Sequence, residues 1–327
     1  MLKNRAMRPW FAVGLWAALC LVAAFYGNWR GFGARPFAIT TVAFDILLAG
    51  EVCLAAPEIR EPLVRAVGPQ GGPMVALWPL GAYVLYAAGT GSMTWTRMLI
   101  AAAYILTPLV LAASAHAAKA GAWQDYATML AIALPVRLGW LHRLFPYPEF
   151  RLGYILPMLL AINVGLAAFL FVRRMDGIGY SIGWGLSWGI AVVLCFAAIA
   201  AIDIPLGTAI HFVRYDPAHA DWRALPLDFL SIFVFTGWPE EFLFRGLLQN
   251  ALRKSLRSEN AGLIVASIIF GLSHIDHGRF PNWRYVLLAT IAGMFYGVAW
   301  RRTQSMFPAA IVHTMVDSTW HLLFPTL

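Results

Sequence analysis

Three ionisable residues interrupt a strongly apolar stretch in the C-terminal third of the chain. The stretch, GWPEEFLFRGLLQNALRK at residues 237–254, carries Glu240, Glu241 and Arg245. Residues four apart share one face of an α-helix, whereas adjacent residues differ by about 100°. Glu241 and Arg245 therefore stack as neighbours with the acid before the base, and Glu240 points away from them. This spacing predicts that Arg245 neutralises Glu241 and that Glu240 stays available for chemistry.

Two further polar clusters follow on separate apolar segments. FGLSHIDH places His274 four residues after Phe270, and PAAIVHTMVDSTWH places Asp317 four residues after His313. Carboxylates and imidazoles commonly transfer protons in enzymes, and preorganised donors stabilise a developing oxyanion. Each cluster alone is also compatible with a structural role. Their ordered occurrence favours general acid–base chemistry on water, because each such residue is costly to place in a membrane.

Pro239 stands directly before the two glutamates. Its ring lacks a backbone N–H and clashes with the carbonyl of the preceding turn inside a helix. The sequence therefore predicts either a kinked helix or the start of a new helix at this point.

The elements that must position these residues are membrane helices. The chain of 327 residues is 60% hydrophobic and 12% charged, with a mean hydropathy of +0.68, whereas soluble domains carry about 25% charged residues. Apolar runs near the length needed to cross a bilayer recur throughout. The predicted fold class is all-α: a polytopic transmembrane helix bundle with a polar catalytic cavity in its C-terminal helices. The predicted membrane segments are 9–26, 36–56, 74–91, 98–118, 127–141, 153–172, 182–206, 226–252, 261–275, 285–300 and 306–324.

The first apolar run resembles a signal peptide, because residues 9–26 follow Lys3, Arg5 and Arg8. It has no convincing small-residue cleavage site and many further spans follow it, so we interpret it as the first transmembrane helix. The basic residues before it favour a cytoplasmic N-terminus. The predicted localisation is an integral multi-pass membrane protein, in the plasma or inner membrane if the source is bacterial.

The net charge of +8 is interpreted as loop lysines and arginines of a membrane protein. The expected partners are therefore the lipid bilayer and a membrane-associated protein or peptide, with no nucleic acid. The three cysteines, Cys20, Cys53 and Cys195, lie inside apolar runs and indicate small buried side chains. No cofactor is expected.

A polar linker divides the chain into two predicted parts. Residues 1–210 form an N-terminal transmembrane bundle of unassigned role, 211–225 form the linker, and 226–327 form a helical core that carries the clusters described above. Polar residues in the first bundle favour a structural interpretation, as helix ends or interhelical hydrogen bonds, over a functional one. They include Asp45, Glu51, Asn163 and Asp203.

The three ordered motifs resemble a known family of membrane proteases. Glu240-Glu241-x-x-x-Arg245, Phe270-x-x-x-His274 and His313-x-x-x-Asp317 are similar to the motifs of the CAAX-protease and bacteriocin-processing family, which includes the type II CAAX prenyl endopeptidases. The resemblance covers about residues 226–324. It implies a glutamate-dependent intramembrane protease that cleaves a membrane-associated protein or peptide.

The resemblance also implies a role for each motif residue. Glu240 would activate a water together with His274, Glu241 and Arg245 would support the site, and His313 and residue 317 would stabilise the oxyanion. The family usually has Asn at the last position, where this chain has Asp317. An ionised Asp cannot donate a hydrogen bond. Either Asp317 is protonated, or it orients His313, which then supplies the donor alone.

The sequence is also compatible with alternatives to proteolysis by this mechanism. Glu240, His274 and His313 could ligate zinc, but the chain contains no HExxH motif, no GxSG motif of a rhomboid-type serine protease and no GxGD motif of an aspartyl type. A non-proteolytic scaffold or immunity-type binding protein on the same fold is the principal alternative. A transporter is a weaker one, because the chain shows no inverted repeat.

Overall fold

The computed structural model describes residues 5–31, 34–68, 71–147 and 153–327. Over these residues the protein is an all-α helical bundle, which confirms the predicted fold class. Two strands of two residues each, Arg5–Ala6 and Gly183–Trp184, are also present. Lys3 lies outside the described residues. The chain forms two compact units, residues 6–176 and residues 1–5 with 177–327.

The unit of residues 6–176 is built from seven α-helices in its described part. The last of them continues into a π-helical turn, Ala167–Val172, and a 3₁₀ turn lies at Trp140–Leu144. The helices are α1 (Pro9–Trp29), α2 (Ala34–Cys53), α3 (Pro57–Val67), α4 (Gly72–Gly89), α5 (Trp95–Ser114), α6 (Trp123–Arg137) and α7 (Ile155–Leu166).

Asn163 has a structural partner, as the sequence analysis favoured, and so has Asp125. The Asn163 amide is fully buried and donates to the Leu47 carbonyl at 2.8 Å, which ties α7 to α2. Arg173 donates through Nε to Asp125 Oδ1 at 2.6 Å, and both side chains are buried. These contacts satisfy polar groups that would otherwise be costly in an apolar interior.

The unit that contains residues 177–327 carries all three motifs. A 3₁₀ turn, Pro217–His219, lies in the predicted linker. The helices are α8 (Leu186–Ala209), α9 (Leu225–Ile232), α10 (Trp238–Glu241), α11 (Asn250–Ser255), α12 (Glu259–Leu272), α13 (Trp283–Thr303) and α14 (Met306–Leu323). Two π-helical segments, Phe233–Gly237 and Phe242–Gln249, join α9 to α10 and α10 to α11.

Pro239 lies inside a backbone that stays helical from α9 to α11. Gly237, the residue before α10, has φ −59° and ψ −49°, so no new helix starts at the proline. The π-helical segment ends at Gly237, two residues before the ring. A π-helical turn widens the helix and relaxes the hydrogen bond that proline cannot make. The structure therefore excludes the start of a new helix at Pro239. The helix continues through the proline and is locally widened.

Gly293 and Gly297 let α13 approach its neighbours closely. A Cβ at Gly293 would lie 3.0 Å from the Phe270 ring, and one at Gly297 would overlap the side chains of Leu263 and Gln249. The two glycine carbonyls accept hydrogen bonds from Arg245 and Gln249. This pair of glycines thus holds α13 against the segment that carries Arg245, in the manner of small-residue helix contacts in membranes.

Five helices in the described part of the chain are long and apolar enough to cross a membrane. They are Pro9–Trp29, Arg35–Cys53, Trp95–Ser114, Ile155–Val172 and Leu186–Ala209. Shorter apolar helices lie at Met74–Gly89 and Glu259–Leu272. The protein is an integral membrane protein. The division of roles at residues 211–225 stays a prediction, since the compact units divide between residues 176 and 177.

Candidate active site

A cavity of about 270 Å³ lies among the helices that carry the motifs. Residues of α8, α10, α13 and α14 line it, together with the end of α12 and the loop that follows it. Most of the lining is apolar or aromatic. The ionisable lining residues other than tyrosine are Asp203, Glu240, His274, His277, His313, Asp317 and His321.

Glu240 and Glu241 occupy different environments although they are adjacent. Glu240 lines the cavity, with 27% of its side chain exposed. The Glu241 side chain is fully buried and accepts a hydrogen bond from Arg245 Nη1 at 3.0 Å. The predicted ion pair between Glu241 and Arg245 is therefore confirmed, and neither of its members lines the cavity.

Arg245 is held by more than its carboxylate partner. Its Nη2 donates to the Gly293 carbonyl at 3.0 Å. Its guanidinium carbon lies 4.4 Å from the centre of the Phe270 ring and 5.1 Å from that of Tyr296. Aromatic faces attract a guanidinium, most strongly away from water. Arg245 thus links the glutamate helix to α12 and α13 behind the cavity wall.

His313 contacts both glutamates and Asp317. Its Nδ1 donates to Glu241 Oε1 at 2.9 Å. Its Nε2 lies 3.5 Å from Asp317 Oδ2 and 3.9 Å from Glu240 Oε2. The ring stacks on Tyr296, with centres 4.7 Å apart and planes 14° apart. The Glu241 bond fixes which nitrogen faces the cavity, because a carboxylate can only accept while it is ionised.

A hydrogen bond also determines which nitrogen of His274 is the acceptor. Its Nδ1 lies 2.9 Å from the Phe270 carbonyl oxygen, which can only accept, so Nδ1 carries the proton. The Ser273 hydroxyl lies 3.2 Å from the same nitrogen. The Nε2 lone pair is then the acceptor of the neutral ring. His274 lines the same cavity as Glu240.

The structure brings all six predicted site residues into one neighbourhood. Four of them line the cavity, namely Glu240, His274, His313 and Asp317, whereas Glu241 and Arg245 lie behind its wall. Their chemical roles stay predictions. His277 is exposed and also lines the cavity.

Polar lining residues outside the predicted site include Asp203, which the sequence analysis interpreted as structural, and Tyr285 and Tyr296, which it did not identify. Asp203 could be singled out from the sequence, because it is a lone carboxylate in a long apolar segment. The two tyrosines could not, since aromatic residues are common throughout this chain. Among the described residues, no group of three or more histidines, cysteines, aspartates or glutamates is arranged to hold a metal ion.

The C-terminal segment matches one family of known proteins. Residues 222–319 match the family described as type II CAAX prenyl endopeptidase Rce1-like. This part of the chain is similar to that family. The match contains all six predicted site residues and confirms the resemblance predicted from the three motifs. The Rce1-like segment supports a CAAX-type intramembrane protease at the level of the family. No curated protein and no solved structure matches the chain.

Proposed function

We propose that this protein is a multi-pass membrane endopeptidase that hydrolyses a peptide bond in the cavity, using water activated by Glu240 and His274. One observation carries the proposal: of two adjacent glutamates, one is bound by Arg245 and His313 behind the wall, and the other enters the cavity. Glu240 approaches His313 Nε2 no closer than 3.9 Å. Glu240 and His274 line the same cavity, so a water held there can bind both the Glu240 carboxylate and the accepting nitrogen of His274.

The proposed reaction needs one water and two proton transfers. Glu240 accepts a proton from the water while His274 Nε2 accepts a hydrogen bond from it and fixes its position. The oxygen then bonds to the carbonyl carbon of the peptide. Glu240 returns the proton to the amide nitrogen as the C–N bond breaks, which releases a carboxylic acid and an amine.

His313 supplies the proposed oxyanion donor. Its Nδ1 hydrogen is bound by Glu241, so only Nε2 can face a tetrahedral intermediate. Asp317 Oδ2, 3.5 Å from Nε2, is placed to orient a ring that carries both protons. This arrangement supports the second of the two alternatives for Asp317, in which it acts through His313. Stacking on Tyr296 holds the ring plane, and a preorganised donor of this kind lowers the barrier to acyl transfer.

The substrate is proposed to be a membrane-associated protein or peptide. The cavity is close in volume to the smaller ligand pockets of proteins, about 300 Å³, so it fits a short stretch of chain around the scissile bond. In this proposal residues 226–327 form the catalytic core, residues 211–225 the linker, and residues 1–210 a membrane bundle of unassigned role. In a bacterial source the location would be the plasma or inner membrane.

Profiling of newly formed peptide termini tests the proposal. Membranes that contain the wild type are compared with membranes that contain Glu240→Gln at a matched protein level. Gln keeps the shape of the side chain but cannot accept the proton. Asp228→Asn is the control, since Asp228 is an exposed carboxylate on α9 outside the cavity lining.

The proposal expects termini that form with the wild type and with Asp228→Asn, and that are absent with Glu240→Gln. Identical termini in all three membranes, with every protein folded, would overturn it. The scaffold alternative would then account for the buried ion pair.

A further inference from the structure

Asp203 is a carboxylate in a membrane helix. It is the only Asp, Glu, Lys or Arg in α8, a helix of 24 residues that is among the candidate membrane spans. The helix packs against α13 and α14, which carry much of the cavity lining. A carboxylate at such a position costs a few kcal/mol unless it faces a polar cavity or a partner. A carboxylate in this otherwise apolar helix therefore needs a polar or charged partner.

The Asp203 side chain lines the cavity and lacks a protein partner for one oxygen. Its Oδ1 is buried and makes no hydrogen bond with any described residue. The nearby lining residues of the same helix, Phe196, Ile199 and Ile204, are apolar. A buried acceptor without a donor is strongly unfavourable. The cavity therefore contains an acceptor that a bound ligand could satisfy.

Carboxylates in the cavity lining outnumber the one positive charge that the proposed mechanism assigns there, on His313. Three carboxylates, Asp203, Glu240 and Asp317, line the cavity, and no lysine or arginine among residues 5–31, 34–68, 71–147 and 153–327 does so. Arg245, the arginine of the motifs, lies behind the cavity wall and is neutralised by Glu241. A low-dielectric pocket with an excess of negative charge attracts a cation.

Aromatic residues of the lining also favour a cationic ligand. Tyr285 and Trp320 line the same cavity, and aromatic faces bind ammonium and guanidinium groups where water is excluded. A carboxylate with a free acceptor, beside such rings, has the chemistry that recognises a lysine or arginine side chain. An anionic or purely aliphatic residue would leave Asp203 without a donor.

We infer that Asp203 determines specificity, by binding a lysine or arginine side chain of the peptide substrate near the scissile bond. The inference rests on the proposed endopeptidase function and names the substrate class for it. Asp203 binds and positions the substrate in this account. The reaction itself remains with Glu240 and His274.

A cleavage assay with matched peptides tests the inference. The purified full-length protein, in lipid nanodiscs, is given a mixed peptide library, and the preferred site is then remade with Lys or Gln at the preferred position. The wild type should cleave the Lys peptide with at least about tenfold higher kcat/KM. Asp203→Asn should lose that preference by slowing the Lys peptide alone, while Asp203→Glu and the exposed-surface variant Asp228→Asn should keep it.

Two outcomes overturn the inference in distinguishable ways. Cleavage without a basic preference, or an equal loss on both peptides in a folded Asp203→Asn variant, would reject the role of Asp203 and leave the protease assignment intact. Absence of cleavage by folded wild-type protein, on the library and in the membrane profiling alike, would reject the proposed function and the inference with it.

Discussion

Two adjacent glutamates differ because helical geometry sends them to opposite sides of one wall. Glu241 accepts hydrogen bonds at the same oxygen from Arg245 and from His313, at 3.0 and 2.9 Å. Glu240 has no such pair of donors and is partly exposed to the cavity. A substitution at each position should therefore have a different kind of effect, on folding for Glu241 and on chemistry for Glu240.

Glu241→Gln should destabilise the protein by about 3–5 kcal/mol, the range for breaking a buried ion pair. The change leaves the buried Arg245 guanidinium without its counter-charge and weakens the bond that orients His313. Thermal unfolding in detergent or nanodiscs measures the loss.

Glu259→Gln is the matched control for this prediction, because Glu259 pairs with Arg253 at 2.7 Å but is half exposed. Exposed pairs contribute about 0–1 kcal/mol, so this variant should unfold at nearly the wild-type temperature. Equal stability of both variants would contradict the account of Glu241.

Asp317 should tolerate Asn better than an apolar residue of similar size. In Asp317→Asn, the side-chain oxygen can still accept from His313 Nε2 and the amide can donate to the oxyanion. Its kcat should stay within about tenfold of the wild type, whereas Asp317→Leu should lose at least about 100-fold, the scale of a lost oxyanion donor. A folded Leu variant with wild-type kcat would contradict a role for Asp317 in orienting His313.

At the scale of single residues, the sequence predicts the contacts that helical spacing determines. The Glu241–Arg245 pair follows from the separation of four residues within one helix, and the structure confirms it. The bond between His313 and Glu241 joins residues 72 apart. No spacing rule reports such a contact, because it depends on how separate helices pack. The sequence identifies Asp203 as an unusual carboxylate in an apolar segment, but it does not predict that Asp203 lines the cavity.

At the scale of elements, the glutamate helix has an irregular backbone on both sides of the motif. π-Helical segments, Phe233–Gly237 and Phe242–Gln249, flank the short α10 that carries Glu240 and Glu241. Such segments are frequent at functional sites, because the widened turn changes the direction of the side chains around it. Pro239 made an irregularity predictable from the sequence, but not its π-helical form.

Close packing of α13 is the second feature at this scale, and it gives a prediction for Gly297. Gly297→Ala places a methyl group into Leu263 and Gln249, so α13 must shift from its neighbours. Overpacking of this kind costs about 1–3 kcal/mol. Thermal unfolding should show the loss.

Gly189→Ala on α8 is the control, since a Cβ there meets no atom within 4 Å. Alanine favours helices over glycine by about 1 kcal/mol, so this variant should be as stable as the wild type or more stable. If the two alanine variants had equal stability, close contact at Gly297 would not be structurally important.

The whole molecule is an integral membrane bundle of two compact units, and only one carries the Rce1-like match. Composition and apolar run length predicted the all-α membrane fold, because bilayer thickness constrains both. They did not predict the helix bounds. Segment 127–141, for example, corresponds to α6 ending at Arg137 and a 3₁₀ turn at Trp140–Leu144. The unit boundary also depends on long-range contacts that composition does not report.

The central claim is that Glu240 acts in chemistry and not in folding. Its most direct test measures turnover and thermal unfolding together on purified full-length protein in lipid nanodiscs, with a peptide identified by the terminus profiling. Glu240→Gln should unfold at the wild-type temperature and lose at least about 100-fold in kcat, the scale of general acid–base catalysis. A folded Glu240→Gln protein with wild-type turnover would contradict this claim.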